Sequence, residues 1–152
     1  MTFSPIEARR LATRITRALE RQLLAAGQSP ALLAARFDQW KAQGEYSSYH
    51  FGKDGAYGPP LHGVLRHVHL LPQADAAALV AWNRAWARRA RKVSDRALVY
   101  ASDSTQGHLL IFILNEPDAH RIARMETPAD ATRMRKLTKV AQSFVHDGSV
   151  IA

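Results

Sequence analysis

Six consecutive apolar residues, Leu109-Leu110-Ile111-Phe112-Ile113-Leu114, constrain this chain more than any other feature. The run is far too short to cross a bilayer, which needs about 20 residues. It reads as a strand, and a strand apolar on both faces must be covered on both faces. Upstream, Ser102-Asp103-Ser104-Thr105-Gln106-Gly107 is a hairpin loop by composition, and Ala97 to Ala101 is its other strand. Val64 to Leu71 is a third strand. Four helices are expected around them. Ser4-Pro5-Ile6-Glu7 is a capping box opening a stripe of Leu11, Ile15, Leu19 and Leu23 that stops at Gly27. Ser29-Pro30 opens a second, with Leu33, Phe37 and Trp40 inward and Gly44 as its stop. Asp75 caps a third through Leu79, Trp82 and Trp86, ending near Lys92, and both tryptophans read as core. Thr127-Pro128 opens a fourth, with Met134, Leu137, Ala141 and Phe144 on one face. Residues 44–63, rich in Gly, Tyr and Pro, read as an ordered loop. Helices, strand, helix, hairpin, helix is an α+β order, and 152 residues suffice for a single domain with one core.

Charge points to the partner. Lys and Arg number 21 against 13 acids, a net charge of +8 with a pI near 10.4. Such a field favours polyanions, because each neutralised phosphate releases counterions. Residues 1–44 carry seven basic and three acidic side chains, Arg84 to Lys92 five and none, and 121–139 six and two. Arginine dominates, which suits bidentate phosphate contacts. The expected partner is therefore a nucleic acid or the ribosome. Cysteine is absent, which excludes disulfides and thiolate metal sites. The N-terminus, Met1-Thr2-Phe3-Ser4-Pro5, lacks the order of a signal peptide, so the expected location is cytoplasmic, without a membrane partner.

Seven histidines carry the candidate chemistry. In the first strand, His67 and His69 share a face about 7 Å apart by the pleat. They can bind zinc with His62, pack and bond to backbone, or face a phosphate. No Asp, Glu or Cys follows at ligand spacing, so no metal and no cofactor are expected. His120 lies just past the apolar strand, where a scaffold presents reactive groups from a loop. Arg121 and Arg124 follow it and favour a phosphate; an imidazole titrating near neutrality suits phosphodiester cleavage. Asp95, just before the second hairpin strand's partner, can orient a histidine or serve as a turn residue. Tyr46, Tyr49 and Tyr57 are stacking candidates in the loop, and Lys53 can reach phosphate there. Phosphate-binding loops, dinucleotide fingerprints and nucleophile elbows are absent.

Several stretches together resemble the YafO family of bacterial toxin–antitoxin modules. They are Phe51-Gly52-Lys53-Asp54 with Tyr57; Arg66-His67-Val68-His69-Leu70; Ser94-Asp95-Arg96-Ala97-Leu98-Val99-Tyr100; and Leu109 to Leu114 running on to Pro117, His120, Ile122, Ala123 and Arg124. Lys139-Val140-Ala141-Gln142-Ser143-Phe144 is similar to the family's closing helix. The family-matching region is 45–146, preceded by a helical extension over 1–44. The resemblance implies a RelE-like toxin fold of helices on a small antiparallel sheet, cleavage of mRNA in the ribosomal A site, and neutralisation by a cognate antitoxin. It places His67, His69, Asp95, His120 and Arg124 on family-pattern positions. Two departures stand out: the 73–92 connection is long, and the family suggests an initial strand where Leu11 to Leu23 reads as helix. The chemistry implied is metal-free attack of a 2′-hydroxyl on its own phosphate. His120 is acid or base, His67 or His69 its partner, and Arg66, Arg121 and Arg124 are phosphate clamps. Two other readings are a RelE-fold toxin directed at gyrase and a non-enzymatic ribosome- or RNA-binding module.

Overall fold

The computed structural model describes residues 12–61 and 63–152. The elements in order are β1 (Arg14–Ile15), α1 (Arg17–Ala25), α2 (Pro30–Gln43), β2 (Phe51–Ala56), β3 (Arg66–Leu70), α3 (Ala76–Ala87), β4 (Ala97–Asp103), β5 (Gly107–Leu114), α4 (Ala119–Ala123) and α5 (Pro128–Asp147). The strands form one sheet ordered β1-β5-β4-β3-β2. The sheet is mixed: β1 runs parallel to β5, and every other pair is antiparallel. The α+β class stands.

The apolar strand β5 sits inside the sheet and is covered on both faces. On one side α1 and α2 bring Leu19, Leu23, Phe37 and Trp40 against Val68, Leu98, Tyr100 and Leu110. On the other, Met134, Leu137, Val140 and Phe144 of α5 pack on Val99, Ala101, Leu109 and Ile111. The tight apolar stripe of α5 begins behind Thr127, whose hydroxyl accepts the Asp130 N–H at 3.1 Å, and ends at Gly148 in the left-handed region. α5 packs on β4 and β5. It therefore leaves the same face of β3 to other partners.

Three sequence expectations are corrected. Leu11 to Leu23 is not one helix. The Ser4–Glu7 capping box and Leu11 lie outside the described residues, and Ile15 belongs to β1, in register with Leu110. Thr16 makes the break: buried, its hydroxyl donates to Ile111 O at 2.6 Å and accepts the Leu19 N–H at 3.1 Å. A residue that closes a sheet bond and caps a helix cannot lie inside that helix. The strand implied by the family resemblance is thus present.

Residues 51–56 are strand rather than loop, and one of the two glycines that obscured it, Gly52, has a reason to be there. Lys53 N–H donates to Lys92 O at 2.8 Å, drawing the 92 segment along β2. A Cβ on Gly52 would lie 2.2 Å from that carbonyl oxygen and 2.9 Å from Trp82 Cη2. Only glycine permits so close an approach.

α3 ends at Ala87, not near Lys92. Trp82 is buried with its Nε1 donating to Tyr49 O at 2.8 Å, whereas Trp86 is 38% exposed. The Arg84–Lys92 cluster is not uniformly a surface. Lys92 is 1% exposed, its ammonium 5.5 and 5.0 Å from the Trp82 and Trp86 ring centroids. Arg91 pairs with Glu45 at 2.9 Å, which leaves Arg84, Arg88 and Arg89 exposed and outside any ion pair among the described residues.

Candidate active site

Strand alternation builds one wall of the site. Val68 enters the core under α1 and α2, so His67 and His69 must point to the other face, opposite Val99 and Ala97 of β4. The turn after β5 and the five-residue α4 bring His120 to the same place. Rings of His67 and His69 lie 5.9 Å apart by centroid, and those of His69 and His120 5.4 Å. Tyr57, just past β2, stacks on His67 at 4.2 Å and 23°. The four catalytic candidates, His67, His69, His120 and Asp95, thus form one cluster with Tyr57 at its side.

Each histidine has a distinct environment. One carboxylate oxygen of Asp95 accepts the backbone N–H of His120 at 2.7 Å and lies 2.9 Å from its ring Nδ1. A carboxylate oxygen at that distance favours the proton on Nδ1 and leaves Nε2 of a neutral His120 as an acceptor. His69 is the reverse. Its Nδ1 accepts the backbone N–H of Ser94 at 2.9 Å, so a neutral ring carries its proton on Nε2 and can only donate there. Ser94 is held in turn by its hydroxyl, which donates to Leu70 O at 2.6 Å. His67 Nδ1 is buried without a hydrogen-bond partner among the described residues.

Burial dominates the titration of the pair on β3. It pushes His67 down to about 4, with Asp54 opposing and the charges of His120, Lys53 and Arg66 adding to the fall. Burial likewise pushes His69 down to about 4, helped by His67, His120 and Lys53. Both are neutral at pH 7. Burial raises the Tyr57 phenol, which keeps its proton. Lys53 is exposed, and its positive charge adds to the fall of both imidazoles.

The arginine candidates fare unequally. Arg66 points to the opposite face, as the residue before His67 in a strand must. There it lies 3.3 Å from Asp54, and its Nε donates to Tyr100 Oη at 3.2 Å. It is therefore corrected from clamp to member of a separate network that includes Lys41, 2.8 Å from the same phenol oxygen. Arg121 is held by Asp118 at 3.2 Å and Asp130 at 2.9 Å. Arg124, one helical turn after His120 and on its side of the chain, pairs with exposed Glu126 at 3.2 Å. His62 lies outside the described residues. Among those described, no three His, Asp, Glu or Cys side chains converge as a metal requires. Tyr49 is spoken for by Asn83 and by the edge of Trp86, and Tyr46 is exposed. The residue that sequence reasoning missed is Ser94. Its contribution is a backbone N–H, which every residue but proline carries, so no side-chain signal marks it.

The model of the family described as "Toxin YafO, type II toxin-antitoxin system" matches residues 38–146. The chain belongs to the YafO toxin family. It is a type II toxin, and membership implies a cognate antitoxin. The matched span contains Lys53, Tyr57, His67, His69, Ser94, Asp95, His120 and Arg124, so the whole cluster lies within the part of this YafO-family chain that carries the likeness. No curated protein and no solved structure matches the chain. No helix among its described residues is long and apolar enough to cross a membrane.

Proposed function

We propose that this toxin is a ribosome-dependent endoribonuclease that cuts mRNA in the A site without a metal. The observation that carries the reading is the pairing of His120 with Asp95 beside a second imidazole, His69, whose proton is held on the opposite ring nitrogen. His120 Nε2 removes the proton from a ribose 2′-hydroxyl as the O2′–P bond forms. Asp95 steadies the imidazolium that results. His69 Nε2–H and the Lys53 ammonium face the charge that develops on the non-bridging phosphate oxygens. An entering phosphate raises the depressed pKa of His67, which takes up a proton from solvent and gives it to the 5′-oxygen as the P–O5′ bond breaks. The products are a 2′,3′-cyclic phosphate and a 5′-hydroxyl. Tyr57 holds His67 by stacking, and Arg124 exchanges its exposed carboxylate partner for phosphate. The net charge of +8 and the exposed Arg84, Arg88 and Arg89 support docking on ribosomal RNA.

Inducing the toxin and mapping transcript 5′ ends tests the reading. New 5′-hydroxyl ends inside translated frames are expected, and a message with a 2′-deoxyribose at the cut should be inert. His120→Ala should fold normally and lose about 10²–10⁴-fold in rate, the usual effect of removing a general base. His146→Ala, on the exposed end of α5, should retain full toxicity. Toxicity without new 5′ ends, or inhibition of gyrase by both the parent and His120→Ala, would refute the proposal.

A further inference from the structure

A groove of about 560 Å³ runs between α1 and α5 beside β5, two strands away from the histidines. Its floor is apolar, with Phe112, Leu137 and Ile151 among its lining residues, and Ile151 is 59% exposed. Its banks are cationic. Arg17 and Arg21 stand one turn apart on α1, and Arg133 and Lys136 one turn apart on α5. All four are exposed, and among the described residues none is in an ion pair and no acidic side chain lines the groove. By contrast, Arg66, Arg121 and Arg124 each already have a carboxylate partner.

We propose that this groove is the docking site for an acidic, amphipathic segment of the cognate antitoxin. Two rows of like charge across an apolar floor repel one another until carboxylates enter between them, and apolar side chains on the same segment cover the floor. RNA fits the groove poorly. The lining is mostly aliphatic, and the ring of Phe112 is already covered by the Arg133 guanidinium at 5.4 Å, which leaves bases no surface for stacking. A second copy of the chain, at +8, brings the wrong charge. Residues 1–11, with Arg9 and Arg10 against Glu7, do so as well. This inference rests on membership of a toxin–antitoxin family and is independent of the nuclease reading.

The probe is the antitoxin whose co-expression abolishes toxicity, purified and titrated calorimetrically against the full-length toxin. Arg17→Glu, Arg21→Glu, Arg133→Glu and Lys136→Glu together should weaken binding at least about tenfold and remove its salt dependence. The four reversals also take the net charge from +8 to zero, so toxicity should fall with ribosome affinity, and what remains should no longer be neutralised. If the reversed variant does not fold, the four Gln substitutions preserve the stems and should still weaken binding several-fold. Binding within threefold of the parent, in whichever variant folds, overturns the proposal. So does unchanged antitoxin binding with lost ribosome co-sedimentation, which would make the groove an RNA surface.

Discussion

Asp95→Asn separates the charge of Asp95 from its geometry. One oxygen of Asp95 accepts the backbone N–H of His120 and lies 2.9 Å from its ring Nδ1, and an amide oxygen in the same place keeps both contacts. What disappears is the attraction between carboxylate and the imidazolium formed as His120 takes the 2′-hydroxyl proton. Two unit charges 2.9 Å apart attract by about 6 kcal/mol at an effective dielectric of 20. The side chains are 57% and 34% exposed, so solvent screening reduces this to about 1–3 kcal/mol, or about 10–100-fold in rate. Asp95→Ala removes the acceptor too. It frees the ring, leaves the backbone N–H of His120 without its acceptor, and should approach the about 10²–10⁴-fold loss of His120→Ala. The assay is single-turnover cleavage of ribosome-bound mRNA at saturating toxin, with ribosome affinity measured in parallel. The loss should fall on the chemical step, with affinity and melting temperature of the Asn variant near the parent's. Parental cleavage by Asp95→Asn would reduce Asp95 to a turn residue, and equal rates for the Asn and Ala variants would mean that orientation contributes nothing.

His69→Gln keeps an N–H donor near the position of Nε2 and should cleave within about tenfold of the parent, whereas His69→Ala should lose about 10²–10³-fold, the usual cost of a missing donor to developing charge. Equal losses would show that His69 moves a proton instead. Stability should fall as pH drops from about 6.5 to 4. His67 and His69 have folded pKa values near 4, below the unfolded 6.5, so the unfolded chain takes up protons first and acid favours it. Each contributes up to about 3 kcal/mol, present above pH 6.5 and lost on the way to 4; urea midpoints that do not change with pH over that window would refute their burial as neutral rings. Gly52→Ala should destabilise by about 1–3 kcal/mol and loosen Lys92, read as a lower thermal midpoint, because the added carbon meets backbone rather than a side chain that can rotate. Cleavage should survive chelation of divalent ions down to the magnesium that keeps ribosomes intact; stoichiometric zinc with loss of activity on its removal would overturn the metal-free mechanism.

Much of this arrangement is legible without coordinates, and the part that is not has a common cause. β5 is legible because six adjacent apolar residues have one economical solution, the interior of a sheet covered twice. α2 and α5 are legible because Ser29-Pro30 and Thr127-Pro128 satisfy their own helix ends, a local matter. The shared face of His67 and His69 follows from alternation, as does the exile of Arg66 to the other face. β1 and β2 are different. Thr16 interrupts a helical stripe because Ile111 O is beside it, and Gly52 sits in a strand because Lys92 O approaches it, contacts made by residues 95 and 40 positions away. The same holds for the site. Composition can nominate His120, His69 and Asp95, but a proton's place on an imidazole depends on what the other nitrogen meets. Asp95 lies 25 residues before His120, and Ser94 lies 25 after His69. The residue types capable of the chemistry are written along the chain; which nitrogen donates and which accepts is decided only when the sheet brings these distant partners within hydrogen-bonding distance.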